Sequence, residues 1–144
     1  MKNDLKGAIE KGRIVPFADG HKLMYKELET AKEDLADAEQ TFGEERYKWA
    51  TVQAYYAMFH AARALLYAKN YREKSHIYLG RAMLALYIET KELSEEYYDN
   101  FVQGMNLREL ADYKRKFSKE GAERVIQSAK DNIAATGKIL GNIK

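Results

Sequence analysis

The sequence predicts an all-α fold, an up-and-down bundle of four or five helices, and three observations carry that expectation. Only one proline interrupts the 144 residues. Apolar residues recur at three- and four-residue steps through several long segments, the spacing of one helix face. Charged residues interleave with Ala, Leu, Glu and Lys, while β-branched runs are few.

Residues 3–12 read as a short polar helix, with Asp4 and Lys6 on one side and Leu5, Ala8 and Ile9 on the other. Arg13 to Gly20 reads as a linker, because Pro16 removes an N–H donor and Asp19-Gly20 offers a turn. Its Ile14, Val15 and Phe17 suit a groove. Residues 1–20 are thus an N-terminal extension and linker, and residues 21–144 form the bundle. From His21 to Phe42, a stripe of Met24, Leu28, Ala31, Leu35, Ala38 and Phe42 marks an amphipathic helix. Gly43 stands where a left-handed residue closes a helix. Only a short turn follows, which implies an antiparallel pair.

The stretch from Tyr47 to Lys69 is the expected centre of the bundle. Its bulky row, Trp49, Val52, Tyr56, Phe59 and Leu66, lies beside a mostly small row, Ala50, Ala54, Ala57, Ala61 and Leu65. Small residues let a neighbouring backbone approach, so one row suits the core and the other a second helix or subunit. Asn70 to Lys74 reads as a polar connector. Ser75 is the N-cap of a helix running to about Lys91, with Leu79, Met83, Leu86 and Tyr87 inward.

Ser94 is placed to cap the next helix, which runs to Phe117 and carries Glu95 and Glu96 where the helix dipole favours them. Gly104 and Asn106 predict a kink or break near Met105. Ser118 caps the last helix, whose stripe is Ala122, Val125, Ile126, Ala129, Ile133 and Leu140. The tail from Gly141 to Lys144 should fray.

At this length one domain is enough, and folding should bury roughly two thirds of the unfolded surface. Lys plus Arg number 24 against 22 Asp plus Glu, a net charge of +2. That balance predicts no strong general attraction to nucleic acid or anionic membrane, although a local basic patch is compatible with it. The absence of cysteine excludes disulfides, thiolate metal sites and a cysteine nucleophile. No apolar run approaches the ~18 residues of a membrane span, and the charged start does not resemble a signal peptide. A soluble, cytoplasmic protein is expected.

Three stretches, AYYAMFHAARALL at 54–66, SH at 75–76 and LRELADY at 107–113, together resemble the HEPN domain family. The closer likeness is to its prokaryotic branch, with a YYAMFHAA-type central helix and a later R-x-x-x-D-Y element, over about residues 21–140. The resemblance implies an HEPN-like helical bundle that often forms a homodimer. It further implies relatives paired with a minimal nucleotidyltransferase in toxin–antitoxin-type systems and, in many members, a metal-independent ribonuclease. There an Arg and a His, four to six residues apart, cleave RNA. An Arg fork holds the phosphate and a near-neutral His moves the proton of the attacking 2′-hydroxyl.

The matching arginine is Arg108, but Glu109, Leu110, Ala111, Asp112 and Tyr113 follow it, with no histidine. The linear catalytic pair is absent. Arg108 with Asp112 as base, and Tyr113 as acceptor of a modification, would make a rearranged site. The same four-residue spacing is that of an intrahelical salt bridge. His60 with Arg63 can meet Arg108 in three dimensions, or can bond a tyrosine or carbonyl inside the bundle.

Arg72 and His76 flank a helix start able to bind an anion, or form a solvated connector. Glu73 to His76 spells E-x-x-H, yet it has no second copy and no metal site is expected. The 11 tyrosines, paired at Tyr55-Tyr56 and Tyr97-Tyr98, suit either base stacking or a core and an interface at once. Lys114, Arg115 and Lys116 suit a solvated face or a phosphate contact.

The residues therefore define three expectations. The first is an HEPN protein partnered with a minimal nucleotidyltransferase, with RNA or nucleotide as ligand, no cofactor, and weak or absent nuclease activity. The second is a metal-independent endoribonuclease with a rearranged site of Arg108, Asp112 and His60. The third is a non-catalytic nucleotide- or RNA-binding module, using Arg63, Arg72, His76 and Tyr113.

Overall fold

The computed structural model describes residues 2–143, with side chains from Leu5 onward. Its elements in chain order are α1 (Lys2–Glu10), β1 (Ile14–Pro16), α2 (Gly20–Gly43), α3 (Tyr47–Ala68), β2 (Tyr71–Glu73), α4 (His76–Met83), α5 (Glu95–Tyr113) and α6 (Lys119–Gly141). A single π-helical turn, Leu84–Ile88, continues α4. The four long helices and the shorter α4 form the expected all-α bundle. Helix α1 turns Ala8 into the core with Leu5 and Ile9 packed beside it; the expected side of Asp4 lies outside the described side chains.

Helix α3 is central, packing on α2, α4, α5 and α6. Its small row goes deepest: Ala50, Ala54, Ala57, Ala61 and Leu65 are buried. Methyl-sized side chains there let α2 and α6 come close, which bulkier groups would prevent. The bulky row behaves differently along its length. Phe59 and Leu66 are buried, Tyr56 is half-buried and Trp49 is 43% exposed, with Lys48 Nζ 4.6 Å from its ring centroid. Trp49 is therefore not a core residue. The row runs along the margin between the core and the surface.

Several local expectations are corrected by tertiary context. The linker and the polar connector pair as antiparallel strands, Ile14 opposite Glu73, Val15 opposite Arg72 and Pro16 opposite Tyr71. Bonds from Phe17 N–H to the Asn70 carbonyl (2.7 Å) and from Lys74 N–H to the Arg13 carbonyl (2.8 Å) extend the ladder. Ile14 is fully buried beneath it. Asn70, left-handed at φ 61°, turns the chain out of α3, and its Oδ1 accepts from His21 N–H at 3.0 Å, satisfying a donor at the start of α2. Gly20 permits this closeness, since a Cβ there would lie 2.6 Å from the Tyr67 carbonyl oxygen.

Gly43 remains helical, and the left-handed residue closing α2 is Glu45, at φ 62°. Helix α5 does not break at Gly104 and Asn106. A Cβ at Gly104 would meet the movable Met58 Cε and sit in ordinary contact with Val125 and Tyr55, so Gly104 lies in the packed seam of α5 on α3. The helix ends at Tyr113, and left-handed Arg115 (φ 53°) leads toward α6.

The serines divide. Ser75 and Ser118 accept from Tyr78 N–H (3.2 Å) and Gly121 N–H (3.0 Å), whereas Ser94 occupies the cap position without a side-chain bond. Every residue of the predicted α6 stripe is buried. At the tail, Gly141 is helical and Ile143 packs on the core, while Lys144 lies outside the described residues.

Candidate functional site

Arg108 projects from α5 one turn beyond Gly104, where the helices are close enough for its guanidinium to reach α3. Nη2 donates to the Tyr56 hydroxyl at 2.9 Å and to the Tyr113 hydroxyl at 3.3 Å, and lies 3.5 Å from Asp112. The guanidinium carbon is 5.3 Å from the Tyr56 ring, 5.1 Å from Tyr113 and 6.0 Å from Tyr55. Its Nε is buried and bonded to nothing among the described residues. All of its polar contacts thus fall on one nitrogen of a group with five donors.

His76 joins this cluster from the first turn of α4, held in place by the Ser75 cap. Its ring lies parallel to that of Tyr55, 17° between planes, and 4.5 Å from the Phe59 centroid. Burial pushes the Tyr55 hydroxyl well above its usual range, so it stays protonated, and it shares a 2.6 Å hydrogen bond with His76 Nδ1. An imidazole accepting at Nδ1 carries its proton on Nε2 when neutral. Burial, and secondarily the charge of Arg108, lowers the His76 pKa from 6.5 and keeps the ring neutral near pH 7.

The arrangement therefore presents a guanidinium, a neutral N–H and two tyrosine hydroxyls, a set suited to an anion. It is less suited to removing a proton. His76 Nδ1 is engaged by Tyr55, and Asp112 faces Arg108.

His60 and Arg63 stand in another group. His60 Nδ1 donates to Glu27, and Nε2 lies 3.5 Å from Asp34. Arg63 donates to Glu73 from Nη2 (2.6 Å) and Nε (3.1 Å), with Glu27 3.5 Å from Nη1. Burial opposes the Arg63 charge, but the Glu73 hydrogen bond together with the negative charges of Glu73 and Glu27 outweighs it and the pKa rises. Among the described residues, neither His60 nor Arg63 contacts Arg108. Arg72 is exposed on β2, its guanidinium carbon 5.6 Å from the Phe17 ring.

The structure thus brings Arg108, Asp112, Tyr113 and His76 together and leaves His60, Arg63 and Arg72 elsewhere. Tyr55, Tyr56 and Phe59 complete the cluster and were not expected in it. The tyrosine pair was the signal, because adjacent helical residues point about 100° apart and can serve a core and a site together. A concavity of about 780 Å³, lined by residues including Glu39, Asn100 and Arg124, contains none of these groups. Among the described residues, no group of three or more His, Asp and Glu is arranged to hold a metal ion. No helix among them is long and apolar enough to cross a membrane.

Fold and site together define an antiparallel helical bundle with an arginine–tyrosine cluster between its central helix and α5. The chain belongs to the HEPN domain family, whose match covers residues 24–139. It is 36% identical to the Methanocaldococcus jannaschii protein named "Putative toxin MJ0605", over 81% of this chain and 87% of that protein. A second protein of that organism, "Putative toxin MJ0142", is 30% identical over 78% of each chain. A "UPF0332 protein" of Archaeoglobus fulgidus is 31% identical over 71% of this chain and 82% of that one.

Proposed function

We propose that this chain is the HEPN member of a toxin–antitoxin-type pair, and that its Arg108 cleft holds a phosphate of RNA or of a nucleotide. The observation that carries the reading is the state of Arg108, whose Nε is buried without an acceptor and whose one carboxylate neighbour is only 3.5 Å away on a single nitrogen. A phosphate is an acceptor matched to the remaining donors, and a neutral His76 N–H adds another. The names of the two Methanocaldococcus relatives support the toxin-type assignment. A minimal nucleotidyltransferase is the proposed partner, on the resemblance of the family motifs. A homodimer is proposed on the exposure of Ile77, Leu110 and Tyr113 around the cleft.

Binding of a labelled RNA oligonucleotide, followed by fluorescence anisotropy, tests the reading. Arg108→Ala is expected to weaken binding about tenfold or more, the scale of one lost charge-assisted contact. Unchanged affinity in that variant would remove the cleft from consideration. Metal-free appearance of shorter RNA, lost with Arg108→Ala, would replace holding by cleavage.

A further inference from the structure

The β1–β2 corner lies at the other end of the same helix face. Tyr56, which bonds Arg108, and Tyr67, beside the corner, are eleven residues apart on α3. That separation is about 16 Å of rise and returns to within ~20° of the same direction. Aromatic contacts occur at both ends. Tyr56 is 5.8 Å from Phe59, Arg63 lies 4.5 Å over Phe59, and Tyr67 is 5.1 Å from Phe17.

At the corner, Arg63, Tyr67, Arg72 and Glu73 line a small pocket of about 160 Å³. The charges in it are unequal. Arg63 engages both Glu73 oxygens, at 2.6 and 3.4 Å, so that pair compensates itself. Arg72 is exposed and has no carboxylate partner among the described residues; its one contact there is the face of Phe17. A free guanidinium beside two half-buried aromatic rings is the combination that holds a single-stranded nucleic acid, with rings under the bases and a cation on the backbone.

We infer that Phe17, Tyr67 and Arg72 form a second nucleotide subsite, so that the ligand is a single-stranded RNA running along α3 from the Arg108 cleft to the β1–β2 corner. The inference rests on the phosphate reading of the Arg108 cleft. Phe17 and Tyr67 take a base, Arg72 takes a phosphate, and the compensated Arg63–Glu73 pair between the ends contributes no net charge. A span of about 16 Å is within reach of roughly four nucleotides, the lower end of site sizes for single-strand binding folds.

The test uses the whole chain and labelled oligouridylates of two and eight nucleotides, measured by anisotropy at several salt concentrations. The eight-mer is expected to bind more tightly than the two-mer. Arg72→Ala and Phe17→Ala should each weaken the eight-mer at least about fivefold and leave the two-mer unchanged. Arg72→Ala should also reduce the eight-mer's log–log salt slope by about 0.7, one phosphate contact on a single strand.

Arg72 is exposed, so its replacement leaves the core intact. Equal affinity for both lengths, still dependent on Arg108, would overturn the second subsite alone, as would a loss of both lengths in Arg72→Ala. Binding of neither length would overturn the cleft reading and this one with it.

Discussion

The surroundings of His60 and His76 differ in how their charges are closed. Around His60, Glu27, Asp34 and Glu73 face the imidazole and Arg63, and both side chains meet carboxylates at bonding or near-bonding distance. Around His76, the neighbours are aromatic rings and a neutral hydroxyl, and the nearby Arg108 has one carboxylate on one nitrogen. The first region spends its charges on joining α2, α3 and β2. The second leaves donors over. A histidine in a conspicuous motif is therefore a poor guide to chemistry until the charges around it are counted.

The contrast is broken most sharply by removing one acid from the first region. Glu73→Ala leaves Arg63 with Glu27 alone and should cost about 2 kcal/mol, below the 3–5 kcal/mol of a fully buried pair because Arg63 is partly solvated. A lower urea midpoint with unchanged RNA affinity for the two-mer is the expected result. If Arg108→Ala destabilised the fold as much, the distinction between a joining region and a binding region would collapse.

A pH titration of stability sharpens it next. The folded pKa of His76 is depressed, so the unfolded chain binds that proton more readily. The stability this group contributes is present above its unfolded value of about 6.5 and is lost as pH falls through the lower folded value. His76→Gln should flatten that acid-side decline, measured by denaturant unfolding at a series of pH values. An unchanged profile would mean that the ring is not held neutral by its setting.

The smallest effect belongs to Asp112. Its pairing with Arg108 is a helical i, i+4 contact at 3.5 Å, so Asp112→Asn should cost only about 0.2–0.5 kcal/mol. Freed of that carboxylate, Arg108 should bind RNA somewhat more tightly. Weaker binding would instead make Asp112 a participant in the site.

Much of the bundle is legible in the sequence because its stripes are long and local. The six-residue stripe of α6 and the Ser75 and Ser118 caps need no knowledge of distant contacts. The strand pair is not legible. Ile14–Pro16 and Tyr71–Glu73 are three residues each, include proline and charges, and show no alternation long enough to signal a strand. Gly104 misleads for a related reason: its propensity says break, but its place in the packed seam of α5 on α3 decides its role. Within the site, Arg108 and Tyr113 are readable as a local helical group. His76 is readable as a candidate, but its place beside Arg108 is not, since it meets Tyr55 across 21 residues of sequence and belongs to no linear motif with Arg108.

The strand pair also bears on where a recombinant fragment begins. The family match starts at residue 24, and a fragment trimmed to it would lack Ile14 to Pro16. Its β2 edge would then be unpaired, the buried site of Ile14 open, and the base of the Arg72 corner missing. Such a fragment would be more prone to aggregate and would lack part of the proposed second subsite. Assays belong on a chain that keeps its first twenty residues.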